Sequence, residues 1–137
     1  MTMAKQYQFG RVVDHIHMKA SDVEASRRFY RAALEPLGLD VDDSAGYLQS
    51  DEFIVSGGEP VTTGLHLAFQ ARDRQSVDAF HAAALKAGGR DNGAPGPRPY
   101  KPDYYAAFVL DPDGNNIEAV YDPPARRSGG PIIAEWD

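Results

Sequence analysis

Three histidines and one carboxylate stand where their spacing allows metal chemistry. His15 and His17 lie two residues apart in Asp14–Asp22, DHIHMKASD, among Val12, Val13, Ile16 and Met18. A strand turns residues i and i+2 to the same face, so both imidazoles would point one way. His66 opens the apolar run HLAF, and Glu118 sits between Ile117 and Ala119 in NNIEAVYD. Strand alternation puts Glu118 on the face opposite those two neighbours, beside Asn116 and Val120. An ionised carboxylate buried without a partner is destabilising by several kcal/mol, so Glu118 needs a cation, a hydrogen-bond network or solvent. Two imidazoles and one carboxylate with open positions make a facial triad, a donor set that suits Fe(II) and also accommodates Mn, Ni, Co or Zn.

The elements that would position these groups come from an internal repeat. Shifted by 51 residues, HIHMKASDVEASRRFYRAALEPLGLD aligns without a gap on HLAFQARDRQSVDAFHAAALKAGGRD, with nine of 26 pairs identical. His15 and His66 coincide, as do Asp22 and Asp73, Phe29 and Phe80, and Gly38 and Gly89. Each copy reads as strand, helix, then strands. Ser21 as N-cap with Glu24 three residues on would form a capping box, and Gly38 would end the first helix. Asp73 can cap the second helix, which Gly88-Gly89 would end. LDVD, GYLQS and EFIVS read as short strands after the first helix. RDNGAPGPRPYKPD reads as a Gly/Pro-rich loop, and YYAAFVL, the DPDG turn and IEAVY as a hairpin. The expectation is an α+β fold of two paired βαβββ modules, about 11–58 and 62–121, in a single domain 1–137 with a tail 122–137. The tail's Ile132, Ile133 and Trp136 are expected to dock, on this chain or on a neighbouring subunit.

Composition narrows the class. The chain has 137 residues, no cysteine and a net charge of -6. Disulfides, thiolate metal sites and a cysteine nucleophile are excluded. The acidic balance argues against a nucleic-acid partner, and the lack of a long apolar run against a membrane span. The amino-terminal MTMAKQYQFG has no apolar signal segment, so a cytoplasmic protein is the expectation. Before the last hairpin, RPYKPDYY gathers Arg98, Tyr100, Lys101, Tyr104 and Tyr105. Such groups suit a pocket for an oxyanion-bearing small molecule. Arg98, Tyr100, Lys101 and Tyr105, with Tyr47 as a further wall residue and His17 lining the pocket, are the candidate substrate contacts. His81, on the second helix, reads as an exposed residue without a role.

DHIHMKASDVEASRRFYRAAL, GLHLAF and FVLDPDGNNIEAVY together resemble the vicinal oxygen chelate superfamily, which includes glyoxalase I, thiol transferases, extradiol dioxygenases and bleomycin-resistance proteins. The resemblance spans roughly residues 11–121. It implies paired βαβββ modules around a half-open, sheet-lined cavity, a homodimer, and His15, His66 and Glu118 as metal ligands. Glu118 would also be the group able to shuttle a proton. The resemblance further implies a metal-dependent lyase, isomerase, thiol transferase or dioxygenase acting on a small oxygen-chelating substrate. Glyoxalase I adds a fourth ligand from the last strand of the first module; here that strand is FIVSGG, with only Glu52 at its start. The alternative within the same fold is a metal-free protein that sequesters a small molecule such as an antibiotic.

Overall fold

A computed structural model describes residues 12–122 in full, together with the backbone of two terminal strands, β1 (Lys5–Phe9) and β9 (Ile132–Trp136). Between them run β2 (Ile16–Ala20), α1 (Val23–Leu34), β3 (Leu48–Ser50), β4 (Phe53–Gly57), β5 (His66–Gln70), α2 (Arg74–Lys86), β6 (Arg90–Pro97), β7 (Tyr105–Leu110) and β8 (Asn116–Tyr121). The fold is α+β. One sheet has the order β2-β4-β3, the other β5-β8-β7-β6, and β1 pairs antiparallel with β9. In both modules the first strand runs parallel to the last: β2 beside β4 and β5 beside β8. The repeat read from sequence is therefore a repeat of topology. The carboxy-terminal segment pairs with the amino-terminal strand of its own chain; the side chains of Ile132, Ile133 and Trp136 lie outside the described residues.

Three local expectations change. LDVD contributes only an isolated bridge, Asp42 to Gln49, rather than a strand. Residues Arg90–Pro97, expected to be loop, form β6 despite two prolines. Proline is tolerated there because β6 is the outer strand of its sheet, and the pairing with β7 shifts register around Gly93 and Gly96. Finally, Asp22 and not Ser21 caps α1, its carboxylate accepting from the Ala25 amide. Ser21 is engaged elsewhere: its hydroxyl donates to Asp113 in the turn between β7 and β8. Asp73 caps α2 as expected, and Gly38, at φ 80°, closes the turn after α1.

One hydrophobic core serves both modules. Phe29, Tyr30 and Leu34 of α1, Val77 and Phe80 of α2, Met18, Val55, Val109 and Ile117 are all buried in it. Gly89 shows how closely the modules approach. A Cβ there would lie 2.6 Å from Phe29 Cε2 and 2.5 Å from Val109 Cγ1. With the inward faces committed to this core, the opposite faces of the sheets carry His17, His66 and Glu118.

The modules are also joined by polar contacts. The Tyr30 hydroxyl, buried under α1, donates to Asp111 Oδ2 at 2.5 Å. Burial, followed by the Asp111 charge, holds the Tyr30 pKa well above its ordinary value. The folded state therefore keeps this proton after the unfolded chain has lost it. Stability from this group is complete below about pH 10 and declines as pH rises further. A series of urea midpoints from pH 8 upward should show that decline, and the Tyr30→Phe variant should start lower but fall less steeply. Parallel curves for the two proteins would disprove it.

Candidate functional site

The densest polar arrangement on the outward face of the second sheet centres on Glu118. Register pairs it with Ala68 on one side and Phe108 on the other, while Ile117 and Ala119 point into the core. The Glu118 side chain is only 3% exposed, and both its oxygens are engaged. His66 Nε2 lies 2.8 Å from Oε1, and the Tyr104 hydroxyl donates to Oε2 at 2.5 Å. Burial and then this bond to Glu118 push the Tyr104 pKa well above its ordinary value, which keeps the phenol a donor. The His66 ring remains open to solvent, its side chain 55% exposed. Its ring centroid stands 6.0 Å from that of Phe108.

Asn115 sets this arrangement from below. It is buried, and its Oδ1 accepts from the amide of Leu65, the residue before His66. Its Nδ2 donates to the carbonyl of Thr62 and to Asp111. The Asn116 amide donates to the Leu65 carbonyl, and Asn116 is the register partner of His66. The start of β5 and the start of β8 are thus locked together, which puts His66 and Glu118 in reach of one another.

The other candidates are spread more widely. His15 precedes β2; its side chain is 59% exposed and bonds to neighbouring Asp14 at 2.7 Å. His17, on the outward face of β2, lies 2.6 Å from Ser56 Oγ. Tyr47 is exposed on the turn before β3. Arg98 stacks over Phe108, its Cζ 5.3 Å from the ring centroid. Tyr100 meets Tyr104 edge-on at 5.2 Å, and Lys101 pairs with Asp122 at 2.9 Å. Tyr105 faces the other way: its hydroxyl donates to Asp78 of α2, and Arg74 covers its ring. Alternation along β7 separates it from Tyr104 and Phe108. His81 is not exposed but tucked against Asp91 at 3.0 Å, with its side chain mostly buried. The structure therefore gathers His66, Glu118, Tyr104, Phe108 and Arg98. Phe108 was not singled out from sequence; its place opposite Glu118 across the β7–β8 hairpin was the available signal.

Whether a divalent metal suits this place can be judged from the donors. Two ligands at adjacent positions of an octahedral ion, each about 2.1 Å from it, stand about 3 Å apart. The 2.8 Å between His66 Nε2 and Glu118 Oε1 is close to that edge. The pair fits as part of a coordination sphere, with Tyr104 as the outer partner of the carboxylate. Among the described residues no three His, Asp or Glu side chains of one chain group as a metal site, so His15 does not join the pair within the chain.

The same architecture recurs in known proteins. The model of the Glyoxalase/Bleomycin resistance protein/Dioxygenase superfamily matches residues 12–119, and the chain belongs to that superfamily. It is similar to a glyoxalase/bleomycin resistance protein from Albidiferax ferrireducens T118, with 33% identity and a TM-score of 0.68 over 80% of this chain and 98% of that one. It also shares its fold with a glyoxalase-related enzyme from Fulvimarina pelagi, at 21% identity and a TM-score of 0.66, covering 91% of this chain and 98% of the other. A third match is oxidase ChaP-H2, at 22% identity and a TM-score of 0.56, covering 81% and 93%. No curated protein matches the sequence. Among the described residues no helix is long and apolar enough to cross a membrane.

Proposed function

We propose that the chain is a metal-dependent enzyme whose centre is completed between two copies, with His66 and Glu118 from one chain and His15 from the other. The observation that carries this is the contact of a buried carboxylate with a half-exposed imidazole, 2.8 Å apart on an outward sheet face. The absence of a third ligand within the chain, among the described residues, supports a shared centre. So does the surface beside His15, where Val12 and Val13 are both exposed, Val12 at 89%. Apolar side chains left open next to a potential ligand suit a contact with a second copy.

A divalent ion held there would act as a Lewis acid toward two adjacent oxygens of a small substrate. The chain's own groups divide the remaining work. Glu118 supplies the negative charge and, if it loosens, a proton acceptor. Tyr104 orients Glu118 by donating to Oε2 and leaves Oε1 toward His66. A thiol nucleophile would have to arrive with a cosubstrate, because the chain has no cysteine. Lyase, isomerase, thiol-transfer and oxygenation chemistry all suit this donor set.

Metal uptake tests the reading. After dialysis against Fe(II), Mn, Ni, Co or Zn, the wild-type protein is expected to retain about one equivalent per chain of at least one of them. Glu118→Ala should weaken retention by at least about 100-fold while remaining folded. A folded wild-type protein that retains none of these ions would refute the proposal and favour small-molecule sequestration on the same fold.

A further inference from the structure

We infer that Arg98 forms an anion subsite beside His66 and Glu118, so that the molecule accepted there carries a carboxylate besides its metal-directed oxygens. This deepens the functional reading above, on which the subsite's place next to a metal rests; the anion contact itself needs no metal.

The segment around Arg98 is shaped to hold one guanidinium. Its Nη1 donates to the carbonyls of Gly96 and Pro97, and its Nη2 to that of Ala94. Two glycines clear the space. A Cβ on Gly93 would stand 3.2 Å from Arg98 Nη2 and 3.0 Å from Phe108 Cδ2, and one on Gly96 would stand 3.3 Å from Nη1. Gly93 also has φ 151°, which disfavours any larger residue. The guanidinium then lies over the Phe108 ring. That pose is favourable for an arginine and fixes its plane.

The charge so fixed is not spent on the protein. Carbonyl oxygens accept its hydrogen bonds, and among the described residues no carboxylate pairs with it. Its Nε–H takes no acceptor among them either. Lys101, by contrast, is neutralised by Asp122. Glu118 is the register partner of Phe108, but its two oxygens are taken by His66 and Tyr104. The two ends of one loop thus converge on the site. The Arg98 amide bonds to the Tyr104 carbonyl at 2.8 Å, while the Tyr104 side chain reaches Glu118 and the Arg98 side chain reaches Phe108. A chain of net charge -6 repels anions in general. A cation held rigid and without a carboxylate partner among the described residues creates a local exception beside the site, and its remaining Nε–H and second Nη2–H offer a carboxylate two donors.

The test compares benzoate with its neutral analogue benzamide on metal-free protein, read by arginine side-chain and backbone amide NMR shifts. Benzoate is expected to shift the Arg98 Nε–H and the amides of Gly93, Gly96 and Phe108 saturably, and benzamide to leave them still. Arg98→Met should weaken benzoate by about tenfold or more, and Arg98→Lys, which keeps the charge, by less. Amide spectra of both variants report that they are folded. Equal shifts by benzamide, unchanged benzoate affinity in folded Arg98→Met, or no shift in the wild type would each overturn the subsite. Metal uptake of wild type and Arg98→Met, measured separately, decides the metal reading, so each idea can fail without the other.

Discussion

Dimers with His15→Ala in one copy and His66→Ala in the other are expected to bind about half an equivalent of metal per chain, although each variant alone binds almost none. In such a mixed dimer one shared centre has lost both histidines and the other has kept both. His66 and Glu118 touch, whereas among the described residues His15 bonds to Asp14 alone and forms no group with them. Loss of an outer partner of a metal ligand weakens binding by about 10- to 100-fold, and loss of a ligand should weaken it by at least the upper figure. Each single variant should therefore appear empty after dialysis. Co-expression with two different affinity tags isolates the mixed species, and elemental analysis reads its metal. Mixed dimers as empty as the parents would place all the ligands in one chain or none. Light scattering at about the mass of a single chain at every concentration would remove the basis of the idea altogether.

The largest expected effect on stability is at Asp111. Asp111→Ala should destabilise the protein by about 3–5 kcal/mol, because one substitution removes the shared acceptor of several buried donors, each worth about 1–3 kcal/mol. Asp111 is buried and accepts from the Tyr30 hydroxyl, the amides of Asp113 and Asn115, and the Asn115 side chain. Its loss takes the carboxylate acceptor from the buried Tyr30 hydroxyl and leaves the Asn115 side chain with only its Thr62 and Leu65 bonds, and an unpaired buried donor alone is worth about 1–3 kcal/mol. The same residue closes the turn after β7 and ties it to α1, so both modules feel the change. Urea denaturation gives the measurement, with Asp113→Ala as comparison. Asp113 lies nearer the surface and bonds to Ser21, and its replacement should cost about 1 kcal/mol. Tyr30→Phe combined with Asp111→Ala should be less damaging than the sum of the single changes, since the two share one bond. A loss below about 1 kcal/mol for Asp111→Ala would show that the network does not hold the modules together.

Much of the architecture was legible because it depends on local, periodic signals. The 51-residue repeat marked the two modules, and apolar spacing with Asp73, Gly38 and Gly89 marked the helices and their ends. Alternation around Ile117 and Ala119 assigned Glu118 to the outward face, where it lies. What local signals could not supply was competition from distant residues. Ser21 has the chemistry of an N-cap, but Asp113, 92 residues away, takes its hydroxyl. Arg90–Pro97 has the composition of a loop, yet it pairs with β7 because an outer strand accommodates prolines on its free edge.

The site divides along the same line. From the sequence alone came the residue types able to bind a metal, the equivalence of His15 and His66, and the exclusion of cysteine chemistry. These follow from side-chain chemistry and from the period of strands and helices. Only the tertiary structure decided that within one chain His66 meets Glu118 while His15 bonds to Asp14, that Tyr104 holds the second carboxylate oxygen, and that Tyr105 turns to α2. The physical reason is that strand periodicity assigns a face but not a distance. Distances between faces come from how β5 and β8 are locked by Asn115, and from a core that draws Phe29, Phe80 and Val109 together beneath them.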